Sequence, residues 1–116
     1  MPITILSQSA RIGGLQDDGA IASSLDPVPC RASSLPVQVE GAGDNRTGLW
    51  ECTPGRFSRH LANAEIMHIL AGACTFTPEG GEPREIRAGD TLFFPANTRG
   101  VWDIRETVRK VYVVIA

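Results

Sequence analysis

The feature that most limits the fold is punctuation. Between Trp50 and Asp103 every apolar run is short, and each is closed by glycine, proline or asparagine. Strands need about four to eight residues, whereas helices need about ten to twelve with a 3.6-residue repeat. The runs Thr47–Cys52, Arg56–Leu61, Glu65–Leu70, Ala73–Thr77, Arg84–Arg87, Thr91–Phe94, Val101–Ile104 and Arg109–Ile115 therefore read as eight strands. Turns are expected at Thr53-Pro54-Gly55, Ala71-Gly72, Pro78–Pro83, Ala88-Gly89-Asp90 and Pro95–Gly100. Many short strands at this spacing imply an all-β sandwich or barrel.

The first part of the chain has a weaker pattern. Ile3 and Ile5 alternate with Thr4, as in a short edge strand or one exchanged with a partner subunit. Residues 9–35 are rich in Ala, Ser, Gly and Pro and read as a surface arm, with a short helical turn near Leu15 to Leu25. Asp26-Pro27-Val28-Pro29 favours extended backbone. Leu35 to Glu40 alternates as a strand, and 41–46 is loop. The expected division is an N-terminal arm, 1–46, packing on the barrel or on a partner subunit, and a β-barrel, 47–116.

One residue breaks the apolar pattern. Glu65 opens Ala64-Glu65-Ile66-Met67-His68-Ile69-Leu70. A buried carboxylate is costly unless it is paired, hydrogen-bonded or metal-bound, so Glu65 is the first candidate for function. Lys110, on the last strand, is its candidate partner, with Tyr112 two residues on and on the same face. Glu65 and Lys110 read either as a general base with its electrostatic anchor or as a satisfied ion pair. Ser58 and His60 share a face on the second strand, while Trp50 and Trp102 are either core or pocket wall. Arg56, Arg59, Arg99, Arg105 and Arg109 are spread over several elements and read as solvated surface. Glu65-x-x-His68 would share one face of a helix, as in bundle metal sites, but those need two copies. On a strand the two residues face opposite sides, which sends His68 to the other face of the sheet.

Composition removes several classes. A net charge of −2 provides no basic field for nucleic acid or anionic membrane. No run approaches the ~18 apolar residues of a membrane span. The N-terminus shows neither a basic segment nor a long apolar one, so a cytoplasmic location is expected. The three cysteines, Cys30, Cys52 and Cys74, have no C-x-x-C spacing and read as small buried hydrophobes.

Residues 47–115 resemble the cupin superfamily, and within it the small cupins grouped with ethanolamine-utilisation protein Q and ureidoglycine aminohydrolase. The phrases that carry the likeness are Thr47–Gly55, Glu65–Gly72, Ala88-Gly89-Asp90 through Phe94-Pro95-Ala96, Val101-Trp102-Asp103 and Val108–Tyr112. The resemblance implies a single-domain double-stranded β-helix (the RmlC-like jelly roll) with a small pocket between two sheets, and often a homodimer. It also permits a check of the superfamily's metal motifs. In G-x5-H-x-H-x3–4-E-x6-G, Glu65 and Gly72 match the closing pair, His60 takes the second histidine and Ser58 stands at the first. In G-x5-P-x-G-x2-H-x3-N, Gly89 and Pro95 match, Asn97 replaces the glycine and Gly100 stands at the third histidine. Two of four ligands are thus absent, and a mononuclear site needs about three. No cofactor is assigned; if Mn, Fe, Ni or Zn is bound, His60 and Glu65 are its ligands. The expected activity is the binding or conversion of a small polar metabolite. Glu65 and Lys110 would be the reactive groups, and Ser58, His60, Trp50, Trp102 and Tyr112 the ligand-binding ones. The alternative is a non-catalytic binding or accessory module.

Overall fold

The computed structural model describes residues 2–116, and among them there is no helix. Eight antiparallel strands form one continuous sheet: β1 (Gln16–Ala20), β2 (Arg31–Val37), β3 (Arg46–Cys52), β4 (Gly55–Leu61), β5 (Glu65–Pro78), β6 (Arg84–Arg87), β7 (Thr91–Phe94) and β8 (Thr98–Val114). The two long strands create the two layers of the jelly roll. The first part of β5 pairs with β7 and with the end of β8, which in turn pairs with β3, and β2 and β1 follow. The second part of β5 pairs with β6 and with the start of β8, which pairs with β4.

The fold line runs through Gly72, where the β5–β8 register shifts. Gly72 has φ +94°, a left-handed conformation that L side chains rarely adopt. A Cβ there would collide with the Thr107 carbonyl. The expected strand end at Ala71-Gly72 is therefore a bulge inside one strand, because bulges bend a sheet without ending it. The same bend carries β8 through Arg105–Thr107, so the expected seventh and last strands are also one.

Two expectations for the early chain do not hold. The stretch from Leu15 to Leu25 contains β1 rather than a helical turn, since the sheet edge offers its backbone partners on β2. Asp17 accepts a hydrogen bond from the Gly19 amide at the bulge in β1. Residues 3–8 form no strand, and Ile3 and Ile5 stand 86% and 76% exposed. The second strand also begins earlier than its alternation indicated, at Arg31, and ends at Val37. Residues 23–25 lie along the outer edge of β4 through Ser58 N–H to Ser23 O and Leu25 N–H to Arg56 O.

The core fills the space between the layers. Phe57, Cys52, Met67, Ile69, Cys74, Phe76, Ile86, Trp102, Ile104 and Val108 are buried there, with Cys30 beside them. Phe76, Phe94 and Trp102 form an aromatic triad with centroid separations of 4.8, 5.0 and 5.6 Å. All three cysteines are free and buried; burial pushes the Cys52 thiol up to about 12 and the Cys74 thiol up to about 11, as for inert core residues.

Candidate functional site

One end of the sandwich is left open. A cavity of about 410 Å³ lies there, bordered by Arg46, Trp50, Arg59, Glu65, Lys110 and Tyr112, with Asn63 and His60 also on its boundary. That volume is within the range of small-molecule sites. Strand register explains the lining. Trp50 lies opposite Lys110, Met67 opposite Tyr112, and Ile69 opposite Lys110 across β8. Alternation then turns Glu65, Met67, Trp50, Lys110 and Tyr112 toward the same interior.

Glu65 and Lys110 are each 8% exposed and meet as an ion pair with Nζ 3.5 Å from Oε2. The Lys110 amine also lies 3.2 Å from the Met67 sulfur and 4.6 Å from the centroid of the Trp50 ring. Its contacts are thus one carboxylate, one soft acceptor and an aromatic face. Burial lowers the amine to about 8, against the opposing pull of Glu65 and with a further push from Arg59. Near neutral pH such a lysine exchanges its proton far more readily than an exposed one. Burial raises the Tyr112 hydroxyl above its ordinary value, Arg46 lowers it and Glu65 raises it.

The other candidates fall elsewhere. Trp102 belongs to the aromatic triad, and its one link to the cavity is its ring, 5.6 Å from the Lys110 amine. Ser58 and His60 are exposed on β4, and Phe57 is fully buried. The inward series on that strand is therefore Phe57, Arg59 and Leu61, one residue out of step with the motif-based expectation that Ser58 and His60 point inward. His60 borders the mouth of the cavity, and with Ser58, Ser23 and Arg99 it also borders a shallow depression outside. His68 is likewise on the outer face, its Nδ1 2.8 Å from the Thr91 hydroxyl.

Two charged cavity residues escaped the sequence reading. Arg59 was placed among surface arginines, and Arg46 in a loop. The signal for Arg59 was present: Phe57, two residues earlier on one strand, had to be core. Arg109, also expected on the surface, donates to Glu51 and to the carbonyls of Ser9 and Ile12, fastening the N-terminal segment to the sheet.

The residues present do not fit a divalent metal. Gly100 lies opposite Arg59 on the inner face, and a Cβ placed there would meet the Phe76 ring at 2.5 Å. No histidine fits at that position while Phe76 holds the space. The β4 positions that face inward beside Glu65 are Arg59 and Leu61, and the cation already against Glu65 is Lys110. Among the described residues no three of His, Cys, Asp and Glu come together.

Among the described residues no helix is long and apolar enough to cross a membrane. No curated protein sequence matches the chain. Several solved structures share its fold. A DUF861-family protein of unknown function from Pseudomonas syringae superposes with a TM-score of 0.78 at 24% identity, over 90% of this chain. This chain spans only 45% of that one. A putative ethanolamine utilization protein Q from Salmonella typhimurium gives 0.65 at 24% identity, covering 83% of this chain and 76% of the other. A DUF861-family protein from Thermotoga maritima gives 0.58 at 25%, covering 71% and 99%. The sequence profile of the EutQ-like cupin domain matches residues 39–112, well over half the chain. The chain is a member of the EutQ-like cupin family.

Proposed function

We propose that this protein binds a small polar metabolite in the cavity between β3, β4, β5 and β8, with Glu65 and Lys110 as a proton-exchanging pair at the cavity wall. The observation that carries this reading is the buried ion pair opening onto a cavity of about 410 Å³. Stability alone does not account for a buried ion pair, because replacing one with hydrophobic residues is often neutral or stabilising. This pair faces space large enough for a ligand. Lys110 with its lowered proton affinity serves as base or acid near neutral pH, Glu65 holds the complementary charge, and Trp50 and Tyr112 supply a flat wall and a hydroxyl.

The test is a thermal-shift screen of small polar metabolites on the parent, followed by Glu65→Gln and Lys110→Met. Loss of ligand stabilisation in both variants supports the reading. Unchanged stabilisation in both removes the pair from the site. Turnover of a bound compound separates an enzyme from a binding module.

The protein is also proposed to act in the cytoplasm as a homodimer. The outer face at Phe93, 74% exposed, with its cross-strand neighbour Ile66 and, beyond Ile66 on β8, Val113, supports this contact. Sedimentation of Phe93→Glu checks it: a monomer is expected, and an unchanged dimer excludes this face.

A further inference from the structure

The cavity lining carries three cations, Arg46, Arg59 and Lys110, against one carboxylate, Glu65. Glu65 and Lys110 balance each other. Arg46 and Arg59 have no ion-pair partner among the described residues. The described ion pairs are Arg31–Asp17, Arg56–Asp26, Arg105–Glu85, Arg109–Glu51 and Lys110–Glu65.

Burial separates Arg59 from the other unpaired arginines. Arg11, Arg46, Arg84, Arg87 and Arg99 are exposed and hydrated. Only Arg59 and Arg109 are half-buried. Arg109 has Glu51 at 3.1 Å and two carbonyls, so its position is explained within the chain. The Arg59 guanidinium instead lies 5.1 Å from the centroid of the Phe57 ring. Stacking on an aromatic face removes water from one side of the ion and leaves the in-plane N–H fork free. That fork matches the paired oxygens of a carboxylate or phosphate. Arg46 stands at the mouth, on the β8 register position of Val114, which also pairs with Glu65.

From this geometry we infer that the ligand is a small oxyanion, a carboxylate or phosphate ester, whose acidic group is gripped by Arg59 and drawn in by Arg46. The inference rests on the proposed cavity site and names its ligand class. The anion seats against Arg59, and the remainder of the ligand extends along Trp50 toward Lys110 and Glu65.

Calorimetric titration of the parent with malonate, inorganic phosphate and the neutral analogue malonamide, at fixed ionic strength, tests this. Saturable binding of malonate or phosphate, with none of malonamide, is expected, and the tighter of the two anions identifies the acid class. Arg59→Gln should weaken that binding by about tenfold to a hundredfold, the loss of one charge-assisted contact. Arg59→Lys should retain part of it, and exposed Arg99→Gln should change nothing. Should Arg59→Gln fail to fold, Arg59→Lys and Arg46→Gln carry the comparison. Anion binding that is unaltered in the Arg59 and Arg46 variants overturns the inference, as does the absence of saturable binding of either anion at millimolar concentration. Malonamide binding as tightly as malonate, but lost in Glu65→Gln, overturns the anion class while the cavity reading stands. Anion binding indifferent to Arg59, Arg46 and Glu65 alike removes both.

Discussion

The two halves of β8 share one strand and one neighbour, β5, yet they face different interiors. From Thr98 to Ile104 the strand pairs with β4, and its inner face carries Gly100, Trp102 and Ile104. Phe76 and Phe94 close over Trp102, and the space Gly100 leaves is taken by the Phe76 ring. From Val108 to Val114 the strand pairs with β3, and its inner face carries Val108, Lys110, Tyr112 and Val114. Here the layers leave a cavity, and the buried groups include both members of an ion pair. One half packs aromatic rings together, and the depression of about 310 Å³ beside Phe76 and Phe94 has no buried charge. The other withdraws charge from bulk water and keeps it beside open space. Aromatic volume fills the interior around Phe76, and the hollow begins beyond the Trp102 ring, 5.6 Å from the Lys110 amine.

The strongest way to break this contrast is to hollow the aromatic half. Phe76→Ala removes a ring from the triad and should cost about 3–5 kcal/mol in denaturant unfolding. Ligand affinity at the open half should stay within twofold in the folded variant. A large loss of affinity with little loss of stability would show that the halves are not separable.

Next in size is the ion pair. Lys110→Met leaves Glu65 buried without its cation and should cost about 3 kcal/mol. The double variant Glu65→Leu with Lys110→Met should return to within about 1 kcal/mol of the parent, because both desolvated charges are gone. Ligand binding should be lost in both. A double variant as unstable as the single one would mean that the pair contributes more than mutual neutralisation.

Acidity sharpens the comparison further. The Lys110 amine lies at about 8 when folded and at 10.5 ordinarily. Between those values the unfolded chain holds a proton that the folded chain has released, so stability rises with pH. Cys52 and Cys74, raised to about 12 and 11 from 9, act in the opposite direction from about pH 8 upward, where the unfolded thiols ionise first. The Lys110 contribution alone is a gain of about 1 kcal/mol between pH 8 and 9, and it is read as the difference in pH slope between the parent and Lys110→Met, in which the thiol contributions cancel. A parent and Lys110→Met with the same slope across that unit contradict the assignment to Lys110.

The smallest effect is expected on the outer face of β4. Ser58→Ala should change stability by no more than about 0.5 kcal/mol and leave ligand binding unaltered. A marked loss of binding would restore Ser58 to the interior and invert the face assigned to that strand.

Much of this was legible in residue order. Gly and Pro punctuation excluded long helices, and the phrases from Thr47 to Tyr112 carried the cupin likeness. Glu65 and Lys110 were both singled out, and the structure places them 3.5 Å apart. The face of β4 was not read correctly. A motif with variable spacing allows His60 or its neighbour to occupy the ligand position, and only the burial of Phe57 settles which one faces inward. β1 and the start of β2 were missed because residues 16–20 and 31–34 have no alternation of their own. Their strand character comes from pairing with an edge supplied by distant residues.

By itself, then, the sequence determined the all-β class, the cupin likeness, most strand positions and the one carboxylate that had to be accounted for. Those depend on local pattern: period, turn residues and the cost of an apolar-strand charge. Only the tertiary structure decided that β5 and β8 run unbroken through a bend at Gly72, that Phe76 fills the place of a third histidine, and that Arg59 rather than His60 faces the cavity. The bend depends on a backbone bulge that turns a sheet without ending it; the other two depend on which side chains meet across the sandwich, and a one-residue change of face reverses them.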